Sequence, residues 1–379
     1  MSTGFGIYVH TPWCRTRCPY CAFNVFVSES ADYEQWKNGI LTAWGAISDR
    51  LPGAAHSLYF GGGTPSLAPP EIIGELIDAL PLEPNAEVTL EANPGSINSA
   101  GLSSLRNVGV NRLSLGVQTF DPKHARTLGR GHTVQQARTL LNDAHSIGFD
   151  SWSMDLMFAL PQQTESELLR DLDILMDIGP PHVSLYGLSI EPGTPFEHAQ
   201  QTGTLRLPKS DVWRTMYDHI MNVLENCGLE RYEVSNFARP GHRAVHNEHV
   251  WRGGHYAGLG PGAHGFLPDG TRTLGHPGLE DWFADPTAQE STPSHFDAAV
   301  DYILSTLRHS AGTDRSILRK RSGHDLSPKD IRALTIQNLI AATDDQIALL
   351  PAAFPVADGI TRKLVEGLLE VAPLDDRAP

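Results

Sequence analysis

The stretch Tyr8-Val-His-Thr-Pro-Trp-Cys14-Arg-Thr-Arg-Cys18-Pro-Tyr-Cys21 presents three thiols at C-x3-C-x2-C spacing, directly after an apolar run at Gly6–His10 that reads as a strand. A loop of this length can fold three sulfurs around one cubane. A [4Fe-4S] cluster takes four ligands, and thiolates are the usual protein donors. With three supplied locally, one iron stays open for an external chelator, and the amino and carboxylate groups of S-adenosylmethionine (SAM) suit that position. A structural zinc site would need a fourth ligand that the loop lacks, and three ordinary buried cysteines are the plainest alternative. The fourth cysteine, Cys227, is remote, so the four do not read as a disulfide framework.

Outward from this loop, five more short apolar or β-branched runs recur: Leu58–Phe60, Glu87–Leu90, Arg112–Val117, Trp152–Phe158 and Val183–Leu188. Between them, residues 31–50, 70–80, 134–147 and 165–178 carry apolar residues at helical spacing. Alternation of strand and helix favours a parallel sheet with right-handed crossovers. The expected fold class is α/β, an open, partial TIM-like (β/α)6 barrel with its site at the C-terminal ends of the strands. Three ranges follow: 1–205 as the barrel, 206–268 as an extension, and 295–379 as a small, mainly helical, winged-helix-like domain. In the extension, a helix is expected at 211–226, a strand at 231–237, and loop through the Gly- and His-rich tract to Phe266. Residues 269–294, rich in Pro, Gly and Thr, read as a linker.

Hydrophobic residues make up 40% of the chain and charged residues 19%, a soluble, globular composition. The formal net charge of -15 disfavours a nucleic-acid partner. No apolar run reaches the ~20 residues of a membrane helix. Thirteen residues precede Cys14, leaving no room for a signal peptide, so a cytoplasmic protein is expected, with peripheral membrane contact as a further option.

The cysteine spacing resembles the signature of the radical-SAM superfamily. Gly61-Gly-Gly-Thr-Pro-Ser66, Glu91-Ala-Asn-Pro-Gly95, Arg112-Leu-Ser-Leu-Gly-Val-Gln118 and Asp155-Leu-Met-Phe-Ala-Leu-Pro161 resemble its oxygen-independent coproporphyrinogen oxidase group, over roughly residues 6–266. The resemblance implies a [4Fe-4S] cluster on Cys14, Cys18 and Cys21. It also implies SAM contacts at Tyr8, Tyr20, Gly62, Gly63, Thr64, Glu91, Gln118, Arg130 and Asp155. The chemistry agrees: carboxylates accept from ribose hydroxyls, glycines admit close backbone approach, and arginine pairs with a carboxylate through two parallel hydrogen bonds.

Two branches of that group differ in function. The oxidase branch is expected to decarboxylate coproporphyrinogen with a SAM-derived radical, whereas the HemW-type branch resembles it in fold but carries heme to apoproteins. The oxidase pattern places a further cysteine two residues after the third ligand, where this chain has Phe23, and it has a longer N-terminal extension. Cys18–Asn24 fits the chaperone form Cys-Pro-Tyr-Cys-x-Phe-Asn. His246-Asn-Glu-His-Val-Trp251 resembles the chaperone's H-N-x-x-Y-W signature, with Val250 in place of tyrosine. The reading is therefore a heme chaperone, with oxidase-like enzymology as its alternative and His246 as the expected heme contact. His242, His249, His255 and His264 share its tract. The Gly-rich run 256–265 is expected to close over the cofactor side. Heme-accepting apoproteins, membrane-bound respiratory ones among them, are the implied partners, and the resemblance leaves room for a homodimer.

Overall fold

In the computed structural model, which describes residues 4–371, six parallel strands alternate with helices. They are β1 (Gly6–Thr11), β2 (Ala55–Gly62), β3 (Leu82–Ala92), β4 (Arg112–Gln118), β5 (Ser151–Phe158) and β6 (His182–Gly187), adjacent in that order. Helices α1 (Tyr33–Ile47), α2 (Pro70–Ala79), α3 (Ser99–Asn107), α4 (Val134–Ile147) and α5 (Glu165–Ile178) make the crossovers. Their ends are written into the sequence. Thr133 with Gln136, and Thr164 with Glu167, form reciprocal capping boxes at the starts of α4 and α5. Gly148 and Gly179 close both helices in the left-handed conformation, at φ 82° and 62°.

Six shorter strands extend the sheet: β7 (Glu230–Arg231), β8 (Asn236–Ala238), β9 (Tyr256–Leu259), β10 (His264–Phe266), β11 (Arg272–Leu274) and β12 (Gln289–Ser291). β9 lies parallel beside β1, and β8 lies antiparallel beside β6. Because both edge positions are taken, β1 and β6 do not meet and the barrel stays open. The run expected as one strand at 231–237 is thus the hairpin β7–β8. The tract expected as loop contains β9 and β10. Residues 269–294, expected as a linker, carry β11, the helix Leu279–Ala284 and β12, and so form the sheet's far edge. Strands of three residues are too short to show a period.

Period-two alternation sorts the barrel strands into two faces. Ile7, Val9, Leu58, Phe60, Val88, Leu90, Leu113, Leu115, Met154 and Leu156 belong to one large core with the apolar faces of the helices. Burying each such side chain contributes roughly 1.5–3 kcal/mol. The alternate positions include polar side chains that bond between neighbouring strands on the inner face: Tyr59 to Glu91, Ser114 to Ser153 and Asp155, Arg112 to Ser151. Ordinary eight-stranded barrels fill this space with branched apolar side chains.

Helix α6 (Ser210–Asn226) packs on α5. α7 (Val245–Trp251) leads into β9. Beyond β12, α8 (His295–Leu307) and three later helices surround a three-stranded antiparallel sheet, and their side chains form a second core. This C-terminal part is stitched to the β7–β8 hairpin and to α7. Arg308 reaches the fully buried Glu233 at 2.5 Å, His309 Nε2 meets Glu248 at 3.2 Å, and Ser310 N–H donates to the Tyr232 carbonyl at 2.9 Å. The outer ends of the expected ranges, residues 1–3 and 372–379, lie outside the described residues. Among the described residues no helix is long and apolar enough to cross a membrane.

Candidate functional site

The cysteine loop is tied down on every side. Trp13, 2% exposed, packs edge-on against Tyr33 and Trp36, with ring centroids at 5.0 and 6.3 Å. Trp36 Nε1 donates to the His10 carbonyl at 3.1 Å. His10 Nε2 lies 2.8 Å from the Asn24 carbonyl, which can only accept, so that nitrogen carries the proton. Burial lowers the His10 pKa and keeps the ring neutral. Its Nδ1 therefore accepts from the Tyr8 hydroxyl at 3.0 Å. Asn24 Nδ2 donates to the carbonyls of Pro261 and Pro277 at 3.0 and 2.9 Å, fastening the far side of the loop to the Gly-rich run after β9 and to the segment that follows β11.

Cys14, Cys18 and Cys21 are half-buried and face one cavity of about 830 Å³ at the C-terminal ends of the strands. Burial pushes the Cys14 and Cys21 thiols up, so their ionisation calls for a nearby positive charge, which a bound metal supplies. Three thiols with no fourth protein ligand in the loop suit an iron–sulfur cubane, whereas a structural zinc site would need a fourth donor. Thr64 Oγ1 donates to Cys14 Sγ at 3.4 Å, and Arg130 Nη1 donates to Cys18 Sγ at 3.7 Å.

Opposite the sulfurs stand two carboxylates. Glu91 accepts from the Tyr59 hydroxyl at 2.8 Å and from the Gly62 N–H at 3.1 Å. Burial, reinforced by the charge of Asp155, lifts its pKa from 4.5 to about 7. Asp155 accepts from Ser114 and Ser153, both at 2.8 Å. Gln118 ends β4 beside a register shift, with φ at 72°, a left-handed conformation costly for a non-glycine residue, and its side chain reaches the cavity wall. Gly62 has φ 109°, and a Cβ there would sit 2.4 Å from the His10 ring; one at Gly63 would sit 2.5 Å from the Trp13 carbonyl. Both glycines are thus demanded by the fit of the cysteine loop itself.

The family model of the radical SAM superfamily matches residues 8–175. The heme chaperone HemW of Bacillus subtilis is 31% identical over 358 residues, which are 90% of this chain and 94% of that protein. This chain belongs to the HemW family of radical SAM proteins. The mitochondrial radical S-adenosyl methionine domain-containing protein 1 of Danio rerio is 40% identical over 275 residues, 70% of this chain. The chain spans about three fifths of the length of the mitochondrial relatives that it matches. In fold it is similar to coproporphyrinogen III oxidase (HemN) of Escherichia coli, with a TM-score of 0.80 at 20% identity, covering 95% of this chain and 90% of that one.

Of the residues expected at the site of this radical SAM barrel, Cys14, Cys18, Cys21, Tyr20, Gly62, Gly63, Thr64, Glu91, Gln118, Arg130 and Asp155 line the one cavity. Tyr8 does not. It lies behind Gly61, stacked on Tyr59 at 6.2 Å, and acts on the loop through His10. His246 does not either. It sits at the N-terminal ends of the strands, 4% exposed, its ring against Gly6 and its Nδ1 3.0 Å from Ser57 Oγ. Burial and the neighbouring His249 and His56 lower its pKa to about 3. The expected axial ligand is therefore engaged in packing in this arrangement. The Gly-rich run at 256–265 supports the cysteine loop from outside and is not part of the cavity wall. Asn24 and Asn93 also hold the site together, and each stands inside a motif, Cys18–Asn24 and Glu91–Gly95.

Proposed function

We propose that this chain is a heme chaperone that binds a [4Fe-4S] cluster through Cys14, Cys18 and Cys21, holds SAM beside it, and hands heme to recipient proteins, respiratory ones among them. The observation that carries this reading is the convergence of three thiols and the polar ends of β2 to β5 on one cavity, in a chain matched over 90% of its length by a HemW heme chaperone. When bound, the cluster would supply an open iron that the amino and carboxylate groups of SAM can chelate. Glu91 and Asp155 are placed to accept from ribose hydroxyls, and Gly62 and Gly63 keep the backbone close. Arg130 offers positive charge near a carboxylate, while its Nη2 is held by Asn93 and the Gly116 carbonyl.

Phe23, 64% exposed, stands at the cavity mouth where the oxidase pattern carries a further cysteine, which favours carriage over decarboxylation. In this proposal the protein works in the cytoplasm, and its acceptors include membrane-bound apoproteins. His246 keeps α7 on the barrel base beside the other histidines. The test is anaerobic reconstitution followed by parallel assays of heme binding and of coproporphyrinogen conversion. Heme binding without conversion is expected, and SAM-dependent decarboxylation of coproporphyrinogen would overturn the reading. Heme spectra of His246→Ala and His249→Ala decide whether either imidazole reaches the iron.

A further inference from the structure

Asn93 connects two of the three cysteines. Its Oδ1 accepts from Arg130 Nη2, and its Nδ2 lies 3.2 Å from Thr64 Oγ1. Arginine has no acceptor, so the amide oxygen must face Arg130 and the amide nitrogen must face Thr64. The Thr64 oxygen then accepts, and its own proton is left to point at Cys14 Sγ, 3.4 Å away. On the other side, Asn93 and the Gly116 carbonyl hold Nη2 so that Nη1 reaches Cys18 Sγ at 3.7 Å. Gly116 is needed there, because a Cβ would come within 2.6 Å of Asn93 Oδ1. Thr64 is 5% exposed, so water competes little for its hydroxyl. One amide, just after the end of β3, thus fixes the direction of the hydrogen bond to Cys14 and the position of the donor to Cys18.

We infer that Asn93 is a positioning residue that raises the reduction potential of the cluster, acting through Thr64 on Cys14 and through Arg130 on Cys18. Donors and positive charge at the sulfurs stabilise the more negative, reduced cluster, and hydrogen bonding to sulfur is one of the protein's means of setting such potentials. The inference rests on the assignment of the three cysteines as cluster ligands. Asn93→Asp reverses the arrow: a carboxylate cannot donate to Thr64, so the threonine proton turns to it and Cys14 loses its donor. Thr64→Val removes the hydroxyl at nearly constant shape, and Thr64→Ser keeps it.

The experiment is a redox titration of the anaerobically reconstituted full chain without SAM, followed by electron paramagnetic resonance, with iron and sulfide measured on the same samples. Midpoints more negative than wild type in Asn93→Asp and Thr64→Val, with Thr64→Ser at the wild-type value, are expected. Loss of iron loading in Thr64→Val but not in Thr64→Ser supports the same role for the hydroxyl. Midpoints in Asn93→Asp and Thr64→Val equal to wild type, at full iron loading, overturn the inference while leaving the cluster assignment standing. A wild-type protein that takes up no iron overturns both.

Discussion

The mouth and the base of the barrel both gather polar side chains, and they use them in opposite ways. At the mouth, the cysteines, Glu91, Asp155 and Arg130 surround a cavity of about 830 Å³. At the base, His246, His56 and His249 pack ring against ring, with His56 and His249 centroids 4.4 Å apart and His246 5.3 Å from Tyr59. Burial depresses the pKa of all three histidines, so the base is neutral and closed. A dense run of ligand-type residues therefore marks a site only where the fold leaves room beside it. The two ends should also fail differently when altered, the base in stability and the mouth in ligand binding.

The largest effect is expected at the base. His246→Ala leaves Ser57 Oγ without its partner and opens a void beside Gly6, which should cost about 2–3 kcal/mol of stability. Denaturant unfolding measures this, and iron loading should be unchanged. Equal stability in wild type and variant would remove the contrast between the two ends.

At the mouth, Arg130→Ala should weaken SAM by roughly 1.5–3 kcal/mol, the range for a hydrogen bond to a charged group, with the iron content retained. Calorimetric titration of the reconstituted protein decides it. Unaltered affinity in both Arg130→Ala and Asp155→Ala would take SAM away from this cavity.

A smaller effect follows from Glu91. Its folded pKa of about 7 lies above the ordinary 4.5, so the folded protein holds a proton that the unfolded chain releases. The ligand-free protein therefore loses stability as pH rises from about 4.5 through 7. A cationic ligand favours the ionised form, so SAM affinity should rise about tenfold between pH 6 and 8. Glu91→Gln should flatten both curves. An unchanged slope in that variant would assign the titration to another group.

Cys227 marks the null end of the scale. It follows α6, packs against the main core and does not line the cavity, so Cys227→Ser should leave iron loading as it was. A drop in iron content would bring a fourth thiol into the account.

Much of this was legible in the sequence because long elements carry a period. The six barrel strands and α1, α2, α4 and α5 could be placed from alternation and helical spacing, and the cysteine loop from its spacing alone. The sheet's outer strands, such as Arg272–Leu274, were not, since three residues between Gly and Pro look like loop until a neighbouring strand pairs with them. In sequence, Gly62 and Gly63 suggest close approach to a ligand; in the fold, His10 and the Trp13 carbonyl already require them. Asn24 and Asn93 were invisible for a related reason: each acts on groups distant in the chain, Pro261 and Pro277 for one, Thr64 and Arg130 for the other. Motif position points to His246 but carries no information about depth, and the residue is 4% exposed.

The central claim is that Cys14, Cys18 and Cys21 hold one cubane at the mouth of the barrel. Iron and acid-labile sulfide in anaerobically reconstituted protein test it most directly, with the wild type beside a chain in which all three cysteines are changed to alanine. About four iron and four sulfide per wild-type chain and almost none in the triple variant are the predicted values, and full loading of the triple variant would contradict the account.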